Sequence, residues 1–204
     1  MIGIIDYGLG NVKAFANVYK TLNIPVQIIK TPVELRKICK IVLPGVGAFD
    51  YAMKKLEASG LKPALEEMVL VHKVPVIGVC VGMQILARSS EEGSLPGLGW
   101  IEGMVKKFEF SSLNNSTFVP HMGWNNVTPL KADGLFKQLD EGSLFYFLHS
   151  YYFQCDRGSD IIAITNYGGP FASAVNSGNI FGVQFHPEKS HRFGTRLLEN
   201  FAKL

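Results

Sequence analysis

The first half of the chain alternates short apolar runs with stretches of helical periodicity. The run Ile2–Ile5 predicts a first strand, and the apolar residues that follow it recur at a spacing of about 3.6 residues, as on the buried face of a helix. These helical positions are Val12, Phe15, Ala16, Tyr19 and Leu22. The alternation is typical of βαβ units, so we expect an α/β fold with a central, mostly parallel sheet and helices on both faces.

Three later runs extend this pattern. Strands are predicted at Val26–Ile29, at residues 40–43 and at residues 74–79, and the last of these is apolar throughout, as in a strand buried on both faces. Past residue 93 the pattern changes to short strands and turns rich in Gly, Asn and Ser, which indicates a small antiparallel extension of the same domain. A final helix is predicted from about Ser190, a residue suited to an N-cap, with one apolar stripe. The stripe consists of Phe193, Leu197, Leu198 and Phe201, interrupted by Gly194.

Composition narrows the class of protein. The chain has 204 residues, of which 47% are hydrophobic and 18% charged, which favours one compact domain spanning 1–204. The net charge of +3 is scattered, with no basic run, so we expect no nucleic-acid partner. The longest mostly apolar stretch, residues 74–87, is shorter than the roughly 18–20 residues of a membrane span. With no basic leader at the N-terminus, these features favour a cytoplasmic protein with no membrane partner.

A cysteine stands where the apolar strand at residues 74–79 gives way to a predicted helix. Gly78 and Gly82 lie two residues to either side of Cys80, which is the pattern of a nucleophile held on a sharp strand-to-helix turn. The start of the helix places backbone N–H groups beside the sulfur and favours its thiolate form. The alternative is that Cys80 is a small buried apolar residue, as most free cysteines are.

The segment that ends in His186-Pro187-Glu188 supplies the groups that such a thiol needs. An imidazole can take up the thiol proton and later protonate a leaving amine, and a carboxylate on its other nitrogen fixes its orientation. A step of two residues places His186 and Glu188 on one side of an extended chain. Together with Cys80, these residues predict nucleophilic catalysis.

These motifs resemble the class I, triad-type glutamine amidotransferases, and among them the glutaminase subunits of imidazole glycerol phosphate synthase, an enzyme of histidine biosynthesis. The matching segments are spread over the whole chain. They are residues 6–11, 43–49, 78–84, 89–93, 120–125, 149–151 and 184–190. The resemblance implies a flavodoxin-like α/β fold and the hydrolysis of L-glutamine to glutamate and ammonia through a thioester on Cys80, with His186 as acid and base and Glu188 orienting it.

The resemblance also implies roles for residues around this triad. Oxyanion donors would come from the backbone at Val81 and at Gly45, Val46 and Gly47. The residues implied to hold glutamine are Gln84, Glu92, His149, Ser150 and Tyr151. Gln84 could instead cap a buried turn, and Glu92 could be a solvated acid.

A partner is implied as well. In this family ammonia passes to a separate cyclase barrel, so the chain is expected to form a heterodimer with an ammonia-using synthase. By similarity, the partner-facing residues are Asn11, Trp124, Tyr146 and Lys189. Core packing would explain the two aromatic residues equally well, and solvation would explain Lys189.

Several departures and alternatives remain open. Val81 stands where leucine is common, and residues 151–153 and 190–193 resemble paralogues that supply ammonia to an amidotransferase of surface-polysaccharide sugars. A catalytically silent binding subunit would have a broken triad, whereas the triad of this chain is intact. A metal hydrolase is disfavoured because no two histidines have HExxH spacing, and three cysteines without CxxC spacing favour neither disulfides nor a zinc cluster. The Gly8-Leu9-Gly10 turn lacks the third glycine of a dinucleotide site, because Lys13 occupies that position. We therefore expect neither a metal nor another cofactor.

Overall fold

The computed structural model describes residues 1–109, 118–140 and 142–204. The strands are β1 (Ile2–Ile5), β2 (Val26–Ile29), β3 (Lys40–Gly45), β4 (Val76–Cys80), β5 (Ser89–Ser90), β6 (Gly103–Lys107), β7 (His121–Asn126), β8 (Thr128–Pro129), β9 (Leu144–His149), β10 (Tyr151–Cys155), β11 (Ile161–Asn166), β12 (Pro170–Ser177) and β13 (Ile180–Val183). The α-helices are α1 (Val12–Thr21), α2 (Pro32–Leu35), α3 (Phe49–Ala58), α4 (Lys62–Glu66), α5 (Val81–Gln84) and α6 (His191–Lys203). A π-helical segment, Glu67–Val71, continues α4, and 3₁₀ turns lie at Gly134–Phe136, Gly158–Asp160 and Pro187–Lys189.

The central sheet confirms the predicted α/β class. Five parallel strands lie in the order β2-β1-β3-β4-β13, and the sheet continues through β12, β10, β6 and β5, where antiparallel pairs predominate. Strands β11 and β8 pair along the same antiparallel part. Each of these five parallel strands is followed by a helix, and the buried faces of the helices pack on the sheet in one continuous apolar core. The order brings the carboxyl ends of β3, β4 and β13 to one edge of the sheet.

A second sheet of two antiparallel strands, β7 and β9, stands apart from the main sheet. Its register pairs His121 with His149 and Trp124 with Tyr146. Successive side chains of β9 alternate, so Phe145 and Phe147 are buried while Leu144 and Leu148 are exposed. This ribbon therefore has one face in the core and one apolar face outside it.

Element boundaries differ from the predictions in small ways. Strand β3 runs on to Gly45, two residues beyond the predicted end, and β4 begins at Val76. Helix α6 follows Ser190 as expected, but the Ser190 hydroxyl does not cap it. Instead it donates to the His186 carbonyl at 2.6 Å and accepts from the Tyr146 amide at 3.1 Å. The hydroxyl thus ties the end of the His186 segment to β9.

The stripe of α6 is confirmed, with Leu197, Leu198 and Phe201 fully buried. Gly194 interrupts it because a Cβ there would lie 1.8 Å from the Pro187 carbonyl oxygen. In the parts of the chain that the structure describes, no helix is long and apolar enough to cross a membrane. The division of the chain into a single domain stays a prediction.

Candidate active site

Cys80 occupies the predicted elbow between β4 and α5. Its backbone has φ 56° and ψ −115°, a conformation that side chains rarely adopt and that costs about 1–3 kcal/mol. A Cβ on Gly78 would lie 2.4 Å from the Gly82 carbonyl oxygen, and one on Gly82 would lie 2.0 Å from the Leu43 carbonyl oxygen. Gly78 is therefore required for the turn to close on itself, and Gly82 is required for the turn to pack against β3.

His186 and Glu188 reach the same edge from β13. Strand β13 is the parallel neighbour of β4, with Val183 beside Val79, so the chain that follows it passes next to Cys80. His186 Nδ1 donates to Glu188 Oε1 at 2.9 Å, and the two side chains are only 4% and 2% exposed. This bond leaves His186 Nε2 as the nitrogen available to Cys80. Within the described ranges, Glu188 Oε2 has no hydrogen-bond partner.

The electrostatics of this cluster favour a protonated His186. Burial alone lowers the pKa of His186, but its contacts with the sulfur of Cys80 and the carboxylate of Glu188 outweigh burial and raise that pKa to about 10. At neutral pH the imidazole therefore carries a proton beside the sulfur. A thiolate next to an imidazolium is the reactive form of a nucleophilic cysteine.

The end of β3 borders the sulfur on another side. Gly45 pairs with Cys80 in the ladder, and a Cβ on Gly45 would lie 2.4 Å from the Gly82 amide nitrogen. Val46 is 40% exposed, and Gly47 has φ 89°. The backbone of Val46 and Gly47 on one side and of Val81 on the other thus flanks Cys80, as donors to an oxyanion must.

A cavity of about 310 Å³ opens over Cys80. It is lined by Val46, Gly47, Cys80, Val81, Gln84, Glu92, Pro120, Leu148, His149, Ser150, Tyr151, His186 and Lys189. We call it the Cys80 pocket. It brings together all five residues predicted to hold glutamine, along with most of the predicted catalytic and oxyanion residues. Gly45 lies beneath the pocket and Glu188 behind His186, outside its lining.

Comparison with known proteins assigns the family. The sequence pattern of the family described as "Glutamine amidotransferase class-I" matches residues 3–204. The chain belongs to this family. Proteins named imidazole glycerol phosphate synthase subunit HisH are 57% identical in Leptospira interrogans and 54% identical in Bdellovibrio bacteriovorus, over the full length of both chains in each case. A protein named HisH 2 from Pseudomonas aeruginosa is 44% identical, again over full lengths.

Solved structures agree on the fold. A crystal structure of a glutamine amidotransferase superposes with a TM-score of 0.74 at 18% identity, covering 100% of this chain and 99% of the other. A glutamine amidotransferase from Thermotoga maritima gives a TM-score of 0.64 at 19% identity, covering 99% of this chain and 82% of the other. At such identities the likeness concerns the fold alone.

Two buried amides of this class I glutamine amidotransferase link the pocket to the sulfur. Gln84 Nε2 donates to the Tyr151 carbonyl and to Gln184 Oε1, both at 3.1 Å. Gln184 Nε2 in turn donates to Cys80 Sγ at 3.8 Å. Sequence reasoning missed Gln184, although a period of two places Gln184, His186 and Glu188 on one side of an extended chain.

Sequence reasoning also gave no role to His121, which proves to be the partner of His149. His121 Nδ1 lies 3.0 Å from His149 Nε2, and His149 Nδ1 lies 2.8 Å from the Tyr151 carbonyl oxygen. Burial lowers the pKa of His121 to about 4 and, with the neighbouring histidines, that of His149 to about 3. Both ring nitrogens of His149 are therefore engaged within the protein. If His149 contacts glutamine as predicted, it does so through its ring edge or its backbone.

Other predicted residues have contacts of their own. Glu92 Oε2 accepts from the Phe49 amide at 2.8 Å, which fixes the start of α3 behind the Gly47 turn. Asn11 Oδ1 accepts from the Ala14 amide and caps α1. Trp124 is 48% exposed and packs edge-on against Tyr146, and the Lys189 ammonium lies 5.5 Å from the centre of the Tyr146 ring. In the described parts of the chain, no three His, Cys, Asp or Glu side chains form a group that could hold a metal ion.

Proposed function

We propose that this protein is the glutaminase subunit of an imidazole glycerol phosphate synthase. It hydrolyses L-glutamine to glutamate and ammonia, and a cyclase subunit in the same heterodimer consumes the ammonia for histidine biosynthesis. The observation that carries the chemistry is Cys80 on a strained elbow beside a His186–Glu188 pair. The pathway rests on relatives named HisH that are 54–57% identical over full length.

The first half of the reaction makes a thioester. The Cys80 thiolate attacks the side-chain amide carbon of glutamine, and the carbonyl oxygen becomes an oxyanion that the Val81 amide and the Gly45–Gly47 backbone would meet. His186 Nε2–H then gives its proton to the amide nitrogen. The C–N bond breaks, ammonia leaves, and a γ-glutamyl thioester remains on Cys80.

The second half releases glutamate. Neutral His186 takes a proton from water while the water oxygen attacks the thioester carbon. The C–S bond breaks, glutamate leaves, and the sulfur returns as thiolate beside a protonated His186. Glu188 holds Nδ1 throughout, so Nε2 always faces the sulfur.

The Cys80 pocket offers groups for the rest of the substrate. Glu92 Oε1 accepts no hydrogen bond from the described residues, so this oxygen is free to bind the α-ammonium of glutamine. Gln84 uses both N–H bonds of its amide within the protein and presents its carbonyl oxygen. Ser150 and Tyr151 line the side of the pocket on which β9 turns into β10.

The outer face of the β7–β9 ribbon suits the partner. Met122, Trp124 and Leu148 are 62%, 48% and 38% exposed, and they form an apolar surface beside the mouth of the pocket, which Leu148 itself lines. We call this the partner face. Exposed apolar surfaces of this kind mark protein interfaces. Docking a cyclase there would cover the pocket, so that ammonia could pass to the acceptor without escaping into water.

Glutamate release by the purified chain tests the proposal. Hydrolysis of glutamine is measured with and without the histidine-pathway cyclase and its acceptor ligand, for the wild type, Cys80→Ala and the matched control Cys39→Ala. Cys39 is an exposed cysteine away from the pocket. We expect slow hydrolysis by the chain alone, strong stimulation by the liganded cyclase, loss in Cys80→Ala, and normal activity in Cys39→Ala.

Other results would redirect the assignment. Full turnover by the isolated chain would contradict a partner-dependent glutaminase, and unchanged turnover in Cys80→Ala would contradict the mechanism. If the cyclase gives no stimulation while a glutamine-mimicking electrophile still labels Cys80, the partner is a different synthase, such as one that amidates a polysaccharide sugar.

The three cysteines are free thiols. The proposed mechanism needs Cys80 reduced, so we place the protein in the cytoplasm.

A further inference from the structure

Gln184 is fully buried and touches the sulfur that the proposed mechanism uses. It follows β13, has no exposed surface, and points its amide nitrogen at Cys80 Sγ from 3.8 Å. An N–H group aimed at a sulfur is neutral toward a thiol but stabilises a thiolate, because hydrogen bonds to charged groups are the stronger ones. The effect of Gln184 on the sulfur therefore depends on whether its amide nitrogen or its amide oxygen faces Cys80.

The surrounding contacts determine which end of Gln184 faces the sulfur. The Tyr151 carbonyl can only accept, so the end of the Gln84 amide that lies 3.1 Å from it is the nitrogen. The same Gln84 nitrogen lies 3.1 Å from Gln184, so the Gln184 atom there is the oxygen. The Gln184 nitrogen is then the atom left to face Cys80. One backbone carbonyl thereby orients two amides in sequence.

A second branch holds the same carbonyl from the other side. Because the Tyr151 carbonyl accepts from His149 Nδ1–H at 2.8 Å, the neutral imidazole of His149 has a bare Nε2. His121 Nδ1 must then donate to it, which leaves His121 Nε2 to accept from Asn125 Nδ2 at 3.2 Å. Every donor atom in this series of hydrogen bonds meets an acceptor, and both histidines are held as the Nδ1–H tautomer.

We propose that Gln184 is a further catalytic residue, whose side-chain amide donates to the Cys80 sulfur and stabilises its thiolate. Gln84, His149, His121 and Asn125 act as positioning residues that keep this amide in the required orientation. We call these five side chains, with the Tyr151 carbonyl, the amide network. The inference rests on the proposed function, since it describes the nucleophile of the same site.

The titratable groups near the sulfur do not replace this contact. His186 is the charged group in contact with the sulfur, and Glu92 and Lys189 line the same pocket. The Tyr7 hydroxyl donates to the Pro44 carbonyl at 2.8 Å, and burial and then Cys80 raise the pKa of Tyr7. Tyr7 thus stays neutral with its proton directed away from the sulfur. Gln184 is the neutral donor on the sulfur.

Alkylation of Cys80 as a function of pH tests the inference in the intact chain without glutamine. Chloroacetamide is the probe, and the Cys80 peptide is followed by mass spectrometry, so Cys39 and Cys155 do not interfere. Gln184→Met keeps the approximate volume but removes the donor, and Gln184→Glu puts an acceptor against the sulfur. We expect Cys80 to react roughly tenfold more slowly at pH 7 in Gln184→Met and more slowly still in Gln184→Glu, with the midpoint of the profile moved to higher pH.

Gln154→Glu is the matched control, because Gln154 is exposed on β10. It should leave the profile of Cys80 unchanged. A Gln184→Met profile within twofold of the wild type, in a variant with wild-type circular dichroism, would overturn the inference. If the profile shifts but the wild type does not hydrolyse glutamine with any partner, the role of Gln184 at the sulfur stands and the proposed function fails.

The positioning branch has its own readout in the nitrogen-15 spectrum of the imidazoles. At pH 7 both His121 and His149 should give the signals of the Nδ1–H tautomer, which is the minor form of a free imidazole. His121→Asn, whose amide can still donate to His149, should keep the tautomer of His149 and the reactivity of Cys80. His121→Phe should lose both. An Nε2–H signal for His149 in the wild type would overturn the positioning role.

Discussion

His186 and His149 line the same pocket and are almost equally buried, at 3% and 6% exposure, yet the pKa values of the two imidazoles move in opposite directions. That of His186 rises to about 10, and that of His149 falls to about 3. Burial pushes both downward, because it penalises the charged form. The difference comes from what each ring touches.

His186 lies between the Glu188 carboxylate and the Cys80 sulfur, and a positive charge on the imidazole stabilises the carboxylate and the thiolate form of the sulfur. His149 lies between a backbone carbonyl and a neutral imidazole, in an aromatic cluster. In that cluster, His121 stacks on Phe147 at 4.6 Å and on Tyr167 at 3.9 Å between ring centres. One fold thus keeps one imidazole charged for proton transfer and another neutral for fixed hydrogen bonding, within a single cavity.

Removing the carboxylate should have the largest effect on this difference. In Glu188→Gln the amide can no longer stabilise the imidazolium, and it can turn its nitrogen toward Nδ1 and impose the wrong tautomer. Partner-stimulated glutaminase activity should fall by about 10²–10⁴-fold. The assay is glutamate release with saturating cyclase and acceptor ligand.

The control for that variant is Glu67→Gln, which removes a carboxylate 3.7 Å from the exposed His72. It should leave activity unchanged. A Glu188→Gln enzyme that retains more than a tenth of wild-type activity would show that the pair of His186 with Cys80 suffices without the carboxylate.

The neutral pair, His121 and His149, should dominate the loss of stability of the protein between neutral and acidic pH. Folding lowers the pKa of His121 to about 4 and of His149 to about 3, from an unfolded value near 6.5. Between pH 6.5 and 4 the unfolded chain binds protons that the folded chain does not, so the free energy of unfolding falls as the pH falls. Each histidine contributes about 1.4 kcal/mol per pH unit in that window.

Urea unfolding at several pH values measures this dependence. His121→Phe removes one of the two sites, so the slope between pH 6.5 and 4 should decrease by about 1.4 kcal/mol per unit. His72→Gln, which removes an exposed histidine, should keep the wild-type slope. An unchanged slope in His121→Phe would mean that the folded protein protonates this pair without cost.

The charged imidazole of His186 should show the opposite dependence of stability at alkaline pH. Because folding raises the pKa of His186 to about 10, its contribution is complete below pH 6.5 and is lost as the pH rises toward 10. In Cys80→Ala one of the two stabilising partners is gone, so the pKa of His186 should fall and the alkaline loss of stability should flatten. An NMR titration of His186 in both proteins gives the two values. Equal values would assign the whole rise to Glu188.

The sequence was enough for the parts of this site that local patterns encode. Apolar periodicity predicted strands β1–β4 along the chain and the helix that follows β1, and the glycines around Cys80 predicted the elbow, because a sharp turn restricts residue types near it. The His186–Glu188 pair was predictable because two residues of extended chain separate the two side chains. The prediction for Ser190 was right in position and wrong in its contact, since the hydroxyl bonds to His186 and β9 instead of the helix.

The neutral pair could not be found in this way. His121 and His149 meet only because β7 and β9 pair in one particular register across 28 residues of sequence, and no local pattern specifies that register. Gln84 and Gln184 are 100 residues apart, and their contact follows from the packing of α5 beside β13. The direction of each histidine's pKa depends on such distant contacts, so it too had to come from the structure.

The smallest expected effect comes from giving the neutral pair a carboxylate of its own. Asn125 Nδ2 donates to His121 Nε2 at 3.2 Å, so in Asn125→Asp a carboxylate oxygen faces that nitrogen, much as Glu188 faces His186. The pKa of His121 should rise from about 4 toward the ordinary histidine value, against the same burial. His121 would still donate from Nδ1 to His149, so the free energy of unfolding at pH 7 should change by only about 1 kcal/mol. An NMR titration of His121 measures the shift, and Asn126→Asp, on the exposed position next to it, is the control. A pKa of His121 that stays below 5 in Asn125→Asp would mean that burial in the aromatic cluster, and not the choice of partner, makes His121 and His149 differ from His186.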